Sequence, residues 1–193
     1  RHLHEFSPYM FDTNNFVPGV RSLALFHSNG DGTFTDVTSL LGDTSGPGNG
    51  LFGQPLGNIW GAGYQPGWVD FDNDGDLDLY VVNDFGPLIR PNVLFRNDGP
   101  SADGAWRFQD ASTVSGADAA VFGMGLAVAD YDLDGFLDFY MTNIGDGVLL
   151  RNGGDARPFI DTTAAAGVGL GAIGDEQRVT WGAVFFDYDN DGD

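Results

Sequence analysis

From Asp70 to Asp78 the chain reads DFDNDGDLD, setting carboxylates at 70, 72, 74, 76 and 78. Two carboxylates about 5 Å apart repel by roughly 3 kcal/mol at an effective dielectric of 20. Such a stretch is either a solvated acidic tract or a cradle for a cation. Apolar residues make up 42% of the chain and aromatics 13%, too many for a disordered acidic protein, which favours the cradle.

The pattern returns as DYDLDGFLD from Asp130 and as DYDNDGD from Asp187. Numbered from its first Asp, the loop carries carboxylates at positions 1, 3, 5 and 9 and glycine at position 6. These are Asp70, Asp72, Asp74, Asp78 and Gly75, then Asp130, Asp132, Asp134, Asp138 and Gly135. The third copy supplies Asp187, Asp189, Asp191 and Gly192. Position 7 is Asp76, Phe136 or Asp193. A phenylalanine side chain cannot ligate, so position 7 is expected to contribute its backbone carbonyl. The Asp76 carboxylate is then expected to face solvent or to make an accessory contact.

Six to eight oxygens in a flexible shell suit Ca²⁺, and a tight loop of alternating Asp residues focuses them on one point. Mg²⁺ prefers to keep its waters in a strict octahedron, and zinc or copper would want the His or Cys that these loops lack. An EF-hand shares positions 1, 3, 5 and 6 but needs a bidentate Glu at 12 and flanking helices. Position 12 here is Val81 or Met141, and both flanks read as strand. An Asp/Asn/Gly run can be a plain turn, but repetition at the same offsets points to calcium. Its expected role is structural, cancelling the repulsion inside each hairpin.

The elements that must position these loops follow from the repeat. First-Asp spacings are 60 and 57 residues, a period that signals a repeat architecture. A second landmark alternates with the first: LFHSNGDGTFTDVT at 25–38, LFRNDGPSADGAWRFQDAS at 94–112 and LLRNGGDARPFIDTT at 149–163. Each closes on Phe-x-Asp-x-Thr/Ser, through Phe34, Asp36 and Thr38, then Phe108, Asp110 and Ser112, then Phe159, Asp161 and Thr163. Within one unit four short strands are expected. They are the apolar GLAVAD (125–130), buried on both faces, then LDFYMTN (137–143), GVLLRN (147–152) and RPFIDTT (157–163). One helical turn fits TTAAAGVGL before Gly167. The expected fold is all-β, with β-propeller blades of four antiparallel strands and Ca²⁺-binding hairpin loops.

The expected organisation is a segment 1–21 outside the repeat, followed by repeats over 22–193. These comprise a partial blade at 22–38, blades at 60–112 and 122–163, and the start of another at 180–193. A seven-bladed ring at this period would need on the order of 400 residues, so the chain reads as part of a longer one. Both ends read as cut: RHLHEF lacks a Met and an apolar leader, and DYDNDGD stops inside a motif.

Composition excludes several roles. A net charge of −20 with only eight Lys and Arg leaves no basic stripe for nucleic acid or for an anionic membrane surface. Without cysteine there is no disulfide framework or thiol nucleophile. No run approaches 18 consecutive apolar residues. No G-x-S-x-G elbow occurs, and calcium already claims the best acid pairs, so the chain is expected not to be an enzyme.

The segments GMGLAVADYDLDGFLDFYMTN, NVLFRNDG, GTFTDVTSLLG and WGAVFFDYDNDGD resemble FG-GAP/VCBS-type repeats. They are most similar to the group found in bacterial relatives of cartilage acidic protein, often followed by an ASPIC/UnbV domain. The resemblance implies an integrin-α-like propeller that binds Ca²⁺ through D-x-D-x-D-G-x-x-D loops. It also implies an extracellular, secreted or cell-surface setting in adhesion or matrix roles.

The remaining candidates read as structural. His2 and His4 read as an exposed tail, and His27 as a polar strand end. The turns NGDGT (29–33), NDG (97–99) and NGG (152–154) read as hairpin turns in which Gly and Asn take positive φ. Of Trp60, Trp68, Trp106 and Trp181, Trp68 and Trp181 are expected in the core. Trp106 is the candidate for sugar stacking, which would make the chain a carbohydrate-binding propeller, as a lectin or an accessory domain. Expected partners are a protein or glycan outside the cell, further copies, or further blades.

Overall fold

A computed structural model describes residues 23–41, 61–102, 104, 106–154, 157–170 and 178–189, with the backbone of residues 3–6. Its elements form three antiparallel sheets. The first joins β1 (Leu3–Phe6), β2 (Ala24–Ser28) and β3 (Phe34–Asp36) in that order. The second contains β4 (Ala62–Val69), β5 (Asp78–Asp84), β6 (Val93–Pro100) and β7 (Trp106–Asp110). The third contains β8 (Leu126–Ala129), β9 (Asp138–Met141), β10 (Val148–Arg151) and β11 (Ile160–Asp161). Both four-stranded sheets run in sequence order, as meanders. The antiparallel four-stranded units are those of partial propeller blades, and no barrel closes among the described residues.

Leu3–Phe6 pairs with β2, with Leu3 opposite His27 and Phe6 opposite Ala24. It takes the place that β5 and β9 hold beside β6 and β10. A second strand is thus drawn from the segment that repeat matching alone sets apart.

The middle sheet is buried on both faces, and β5 shows why. Leu79 and Val81 point one way, into a cluster with Leu23, Leu25, Leu41, Val93, Phe95 and Phe108. Tyr80 and Val82 point the other way, into a cluster with Val69, Leu94, Leu126, Phe139, Met141, Leu150 and Phe159. The two-residue period of a strand divides one apolar run between two cores. Stacked rings carry the second core: Phe139 lies 4.5 Å from Tyr80 and 4.9 Å from Phe159, centroid to centroid.

Close approach of the two four-stranded sheets needs small residues. A Cβ on Gly67 would stand 2.6 Å from Leu126 Cδ2, so a larger residue where β4 meets β8 would have to push that side chain aside. Beside it the Gln65 amide imitates a strand neighbour. Its Nε2 donates to the Leu126 carbonyl at 3.2 Å, and its Oε1 accepts from the Leu126 N–H at 3.0 Å.

The Phe-x-Asp-x-Thr/Ser landmark fastens each outer strand to its inner neighbour. Asp36 Oδ1 accepts from the Thr38 N–H and hydroxyl, and Thr38 Oγ1 accepts from the Leu25 N–H at 3.0 Å. Asp110, Ser112 and Leu94 repeat the arrangement, as do Asp161, Thr163 and Leu149. After each landmark the chain makes one turn: a 3-10 turn at Thr38–Leu41, then α1 (Ser112–Ser115) and α2 (Thr163–Ala166). Gly116 and Gly167 close the two α turns.

From 180 to 189 the described residues carry no strand. Val179 forms an isolated bridge with Ile144, and Thr142 Oγ1 donates to the Trp181 carbonyl. Trp181, expected in the core, is 59% exposed and touches Tyr64 edge-on at 6.0 Å. No neighbouring sheet covers that face among the described residues. Trp68 is half-buried against Phe108, as expected.

Candidate metal centres

Each acidic loop joins the first two strands of a four-stranded sheet. Loop 70–77 lies between β4 and β5, whose last pair is Val69 opposite Asp78. Loop 130–137 lies between β8 and β9, whose last pair is Ala129 opposite Asp138. Strands on both sides confirm that neither loop is an EF-hand.

The two loops hold the same internal hydrogen bonds. Asp70 accepts from the backbone N–H of Asp74 at 3.1 Å and of Gly75 at 3.0 Å. Asp130 accepts from those of Asp134 at 3.0 Å and Gly135 at 2.8 Å. At position 5, Asp74 accepts from the Asp76 N–H and Asp134 from the Phe136 N–H. Position 4 is left-handed in both loops, Asn73 at φ 58° and Leu133 at φ 57°. Gly75 and Gly135 follow at φ 95° and 92°, a conformation that explains glycine at position 6.

Position 9 anchors the loop to the sheet. Asp78 and Asp138 are both 0% exposed. Asp78 accepts from the N–H groups of Phe71 at 3.1 Å and Asn97 at 2.8 Å, one on each oxygen. Asp138 does the same with Tyr131 at 3.0 Å and Asn152 at 2.7 Å. Burial lifts the Asp78 carboxyl to about 7 and Asp138 to about 6, against the pull of those donors toward the charged form. Burial, then Asp74 and Asp70, also raise Asp72.

Ligand oxygens of Asp70, Asp72 and Asp78 lie within 4.8 Å of one another, and so do those of Asp130, Asp132 and Asp138. Positions 1, 3 and 9 therefore converge. Position 5, Asp74 or Asp134, stands outside these close triples. Phe136 at position 7 turns its ring onto Gly154, where an added Cβ would stand 2.1 Å from Cε2. That leaves only its backbone to face the loop. Of the two expectations for Asp76, solvent or an accessory contact, the structure shows the side chain half-buried over Gly99, the matching glycine. In the third copy, Asp191 and Asp193 lie outside the described residues, and Asp187 and Asp189 stand in irregular backbone.

Two asparagines that sequence reading took for turn residues complete the loops. Asn97 donates to the Leu77 carbonyl at 3.0 Å and accepts from the Gly99 N–H at 3.0 Å. Asn152 donates to the Leu137 carbonyl at 3.3 Å and accepts from the Gly154 N–H at 3.1 Å. Positive φ in these turns belongs to Gly99 and Gly154, not to asparagine. The recurring Arg-Asn pair, 96–97 and 151–152, is the sequence signal that could have marked them.

Bonds also run between the loops. Asn152 Nδ2 donates to the Phe71 carbonyl at 2.7 Å, and Asn73 Nδ2 donates to the Gly135 carbonyl at 2.9 Å. The two centres are therefore neighbours on one edge of the molecule.

The donors fit a hard divalent cation. They are all oxygens, and a cationic group already stands against one loop: Arg151 Nε bonds Asp132, and its NH2 bonds Asp134 at 2.7 Å. Among other candidates, Trp106 is half-buried on β7, and His27 sits on β2 opposite Thr35. His2 and Trp60 lie outside the described residues, and nothing is described of the His4 side chain.

Stacked antiparallel meanders with acidic first hairpins define a class of β-repeat protein. A family model described as FG-GAP-like repeat matches twice, over residues 13–81 and 70–141, which together cover more than half of the chain. The matches meet on the first acidic loop. The chain belongs to the FG-GAP-like repeat family. No curated protein matches it.

Proposed function

We propose that this chain is a calcium-binding, non-enzymatic repeat protein that serves adhesion, matrix or structural interaction outside the cell. One observation carries the reading: the same oxygen set converges at the same offsets in two successive sheets, with the position 9 carboxylate fully buried. An acid buried beside two other acids is a poor arrangement for a loop with nothing to neutralise it.

Asp70, Asp72 and Asp78 would hold the ion in the first loop, with Asp74 and the carbonyl of Asp76. Asp130, Asp132 and Asp138 would do so in the second, with Asp134 and the carbonyl of Phe136. A third ion would fall to Asp187, Asp189, Asp191 and Asp193. Bound there, the ion supplies positive charge that cancels carboxylate repulsion. The chain's own part is to fix the oxygens through the N–H groups and asparagines already named.

The acidic balance favours cationic or Ca²⁺-bridged protein or glycan partners over nucleic acid. No helix among the described residues is long and apolar enough to cross a membrane. Within the family, the quoted motifs favour the group related to cartilage acidic protein, and with it a secreted or cell-surface setting.

Calorimetric titration with CaCl₂ tests the reading. Wild type should take up at least two ions, and Asp72→Asn and Asp132→Asn should each remove about one. Absence of heat at millimolar calcium would sink it.

A further inference from the structure

The two loops differ in where one arginine goes. Arg96 and Arg151 hold equivalent places, each just before the asparagine that clamps its loop. Arg96 Nε bonds Asp98 at 2.7 Å, within its own turn. In the second unit the residue after the asparagine is Gly153, and that local carboxylate is gone. Arg151 instead reaches across to Asp132 and Asp134, positions 3 and 5 of the second loop. The choice between Asp and Gly one residue beyond the clamp redirects a whole positive charge.

Resting on the calcium reading above, we infer that Arg151 is a built-in counter-cation of the second loop. It competes with the metal, makes that loop the weaker of the two sites, and owes its position to Gly153. A metal that draws on Asp132 and Asp134 must take them from a guanidinium or share them with one. Sharing sets two positive charges beside each other, and surrender costs a two-pronged, charge-assisted pair. The pair is partly exposed, with Arg151 33% and both aspartates 25% accessible at the side chain, so the competition is moderate. In the first loop Arg96 is bonded to Asp98, so its charge reaches Asp72 and Asp78 only through space and holds neither by a hydrogen bond.

Without metal the same contact does the opposite. Arg151 is then the group that relieves repulsion between positions 3 and 5, so the second loop is partly neutralised from within. Removing it should weaken the metal-free fold and strengthen metal binding. A purely structural arginine would weaken both.

The test uses the full chain carrying Asp72→Asn and Asp189→Asn, which leaves the second loop to report alone, and titrates CaCl₂ by calorimetry. Arg151→Ala should tighten calcium binding about fivefold, the scale of a partly exposed ion pair. It should also lower the melting temperature measured in EDTA. Gly153→Asp keeps the arginine and offers it the partner that Arg96 has, so it too should tighten binding. A Cβ at Gly153 would stand 3.3 Å from Arg157 Cδ and 3.4 Å from its Cβ, contacts that a small side-chain shift relieves. Should Arg151→Ala fail to fold, Gly153→Asp decides alone. Unchanged or weaker binding in these variants overturns the inference while leaving the calcium reading intact. No calcium uptake by unmodified chain overturns both.

Discussion

At the scale of single residues, Asp78 and Asp138 have the most to say. Both are fully buried, each takes two backbone N–H donors, and burial still holds their carboxyls near 7 and 6. Unfolded carboxyls titrate near 4. Between those values the metal-free folded chain binds more protons than the unfolded one. The contribution to stability is therefore complete below about pH 4 and lost as pH rises through 6 to 7. In EDTA, melting temperature should fall across that window, and Asp78→Asn, which cannot titrate, should flatten the slope. Saturating calcium favours the charged form and should reverse it. Asn152 is the second residue to test. Its side chain serves Leu137, Phe71 and Gly154 together. Asn152→Ala should cost about 2–3 kcal/mol in urea unfolding, since buried partners lose their bonds. Positions 1, 3 and 9 were legible from charge and spacing alone. Asn97 and Asn152 were not, because an asparagine beside glycine is also the ordinary composition of a turn.

The element to examine is the clip that ties each outer strand inward. In all three sheets an Asp oxygen, a Ser or Thr hydroxyl and a Leu N–H form the same chain of bonds. Thr38 is 2% exposed, so Thr38→Val keeps the shape, strands the Leu25 N–H without its acceptor and removes the hydroxyl donor to Asp36, which keeps the backbone N–H of residue 38. A loss of about 2–3 kcal/mol is expected in chemical denaturation, with faster amide exchange at Leu25. Thr38→Ser, which keeps the hydroxyl, should restore most of it. Recurrence of Phe-x-Asp-x-Thr/Ser made the clip visible as a landmark, and four short strands per unit followed from apolar runs between turns. What those runs could not supply is partnership. Apolar WGAVFFD reads as a buried strand, yet a strand exists only against a neighbour. Val184, Phe186 and Tyr188 stand exposed with Trp181. The pairing of Leu3–Phe6 with β2 was hidden because LHEF matches none of the recurring landmarks.

For the molecule as a whole, a net charge of −20 means that any added cation stabilises to some degree through screening. Site binding has to be separated from that background. Screening depends on ionic strength, while two sites depend on free calcium relative to its dissociation constant. At a hundredfold excess each site adds about 2.7 kcal/mol, so two add about 5 kcal/mol. For a chain of this length 1 kcal/mol moves the melting temperature by about 2–4 °C. Saturating CaCl₂ should then raise it by roughly 10–20 °C over EDTA, and NaCl at matched ionic strength by far less. Paired loops add a second signature. Asn73 and Asn152 link one loop to the other, and Tyr80 and Phe139 stack across the same interface. Loss of metal from either loop should therefore loosen both sheets together. Asp72→Asn is expected to speed amide exchange in β9 as well as β5 when calcium is limiting. Exchange confined to β5 would mean that the loops act singly, and that the asparagine links carry shape without carrying stability.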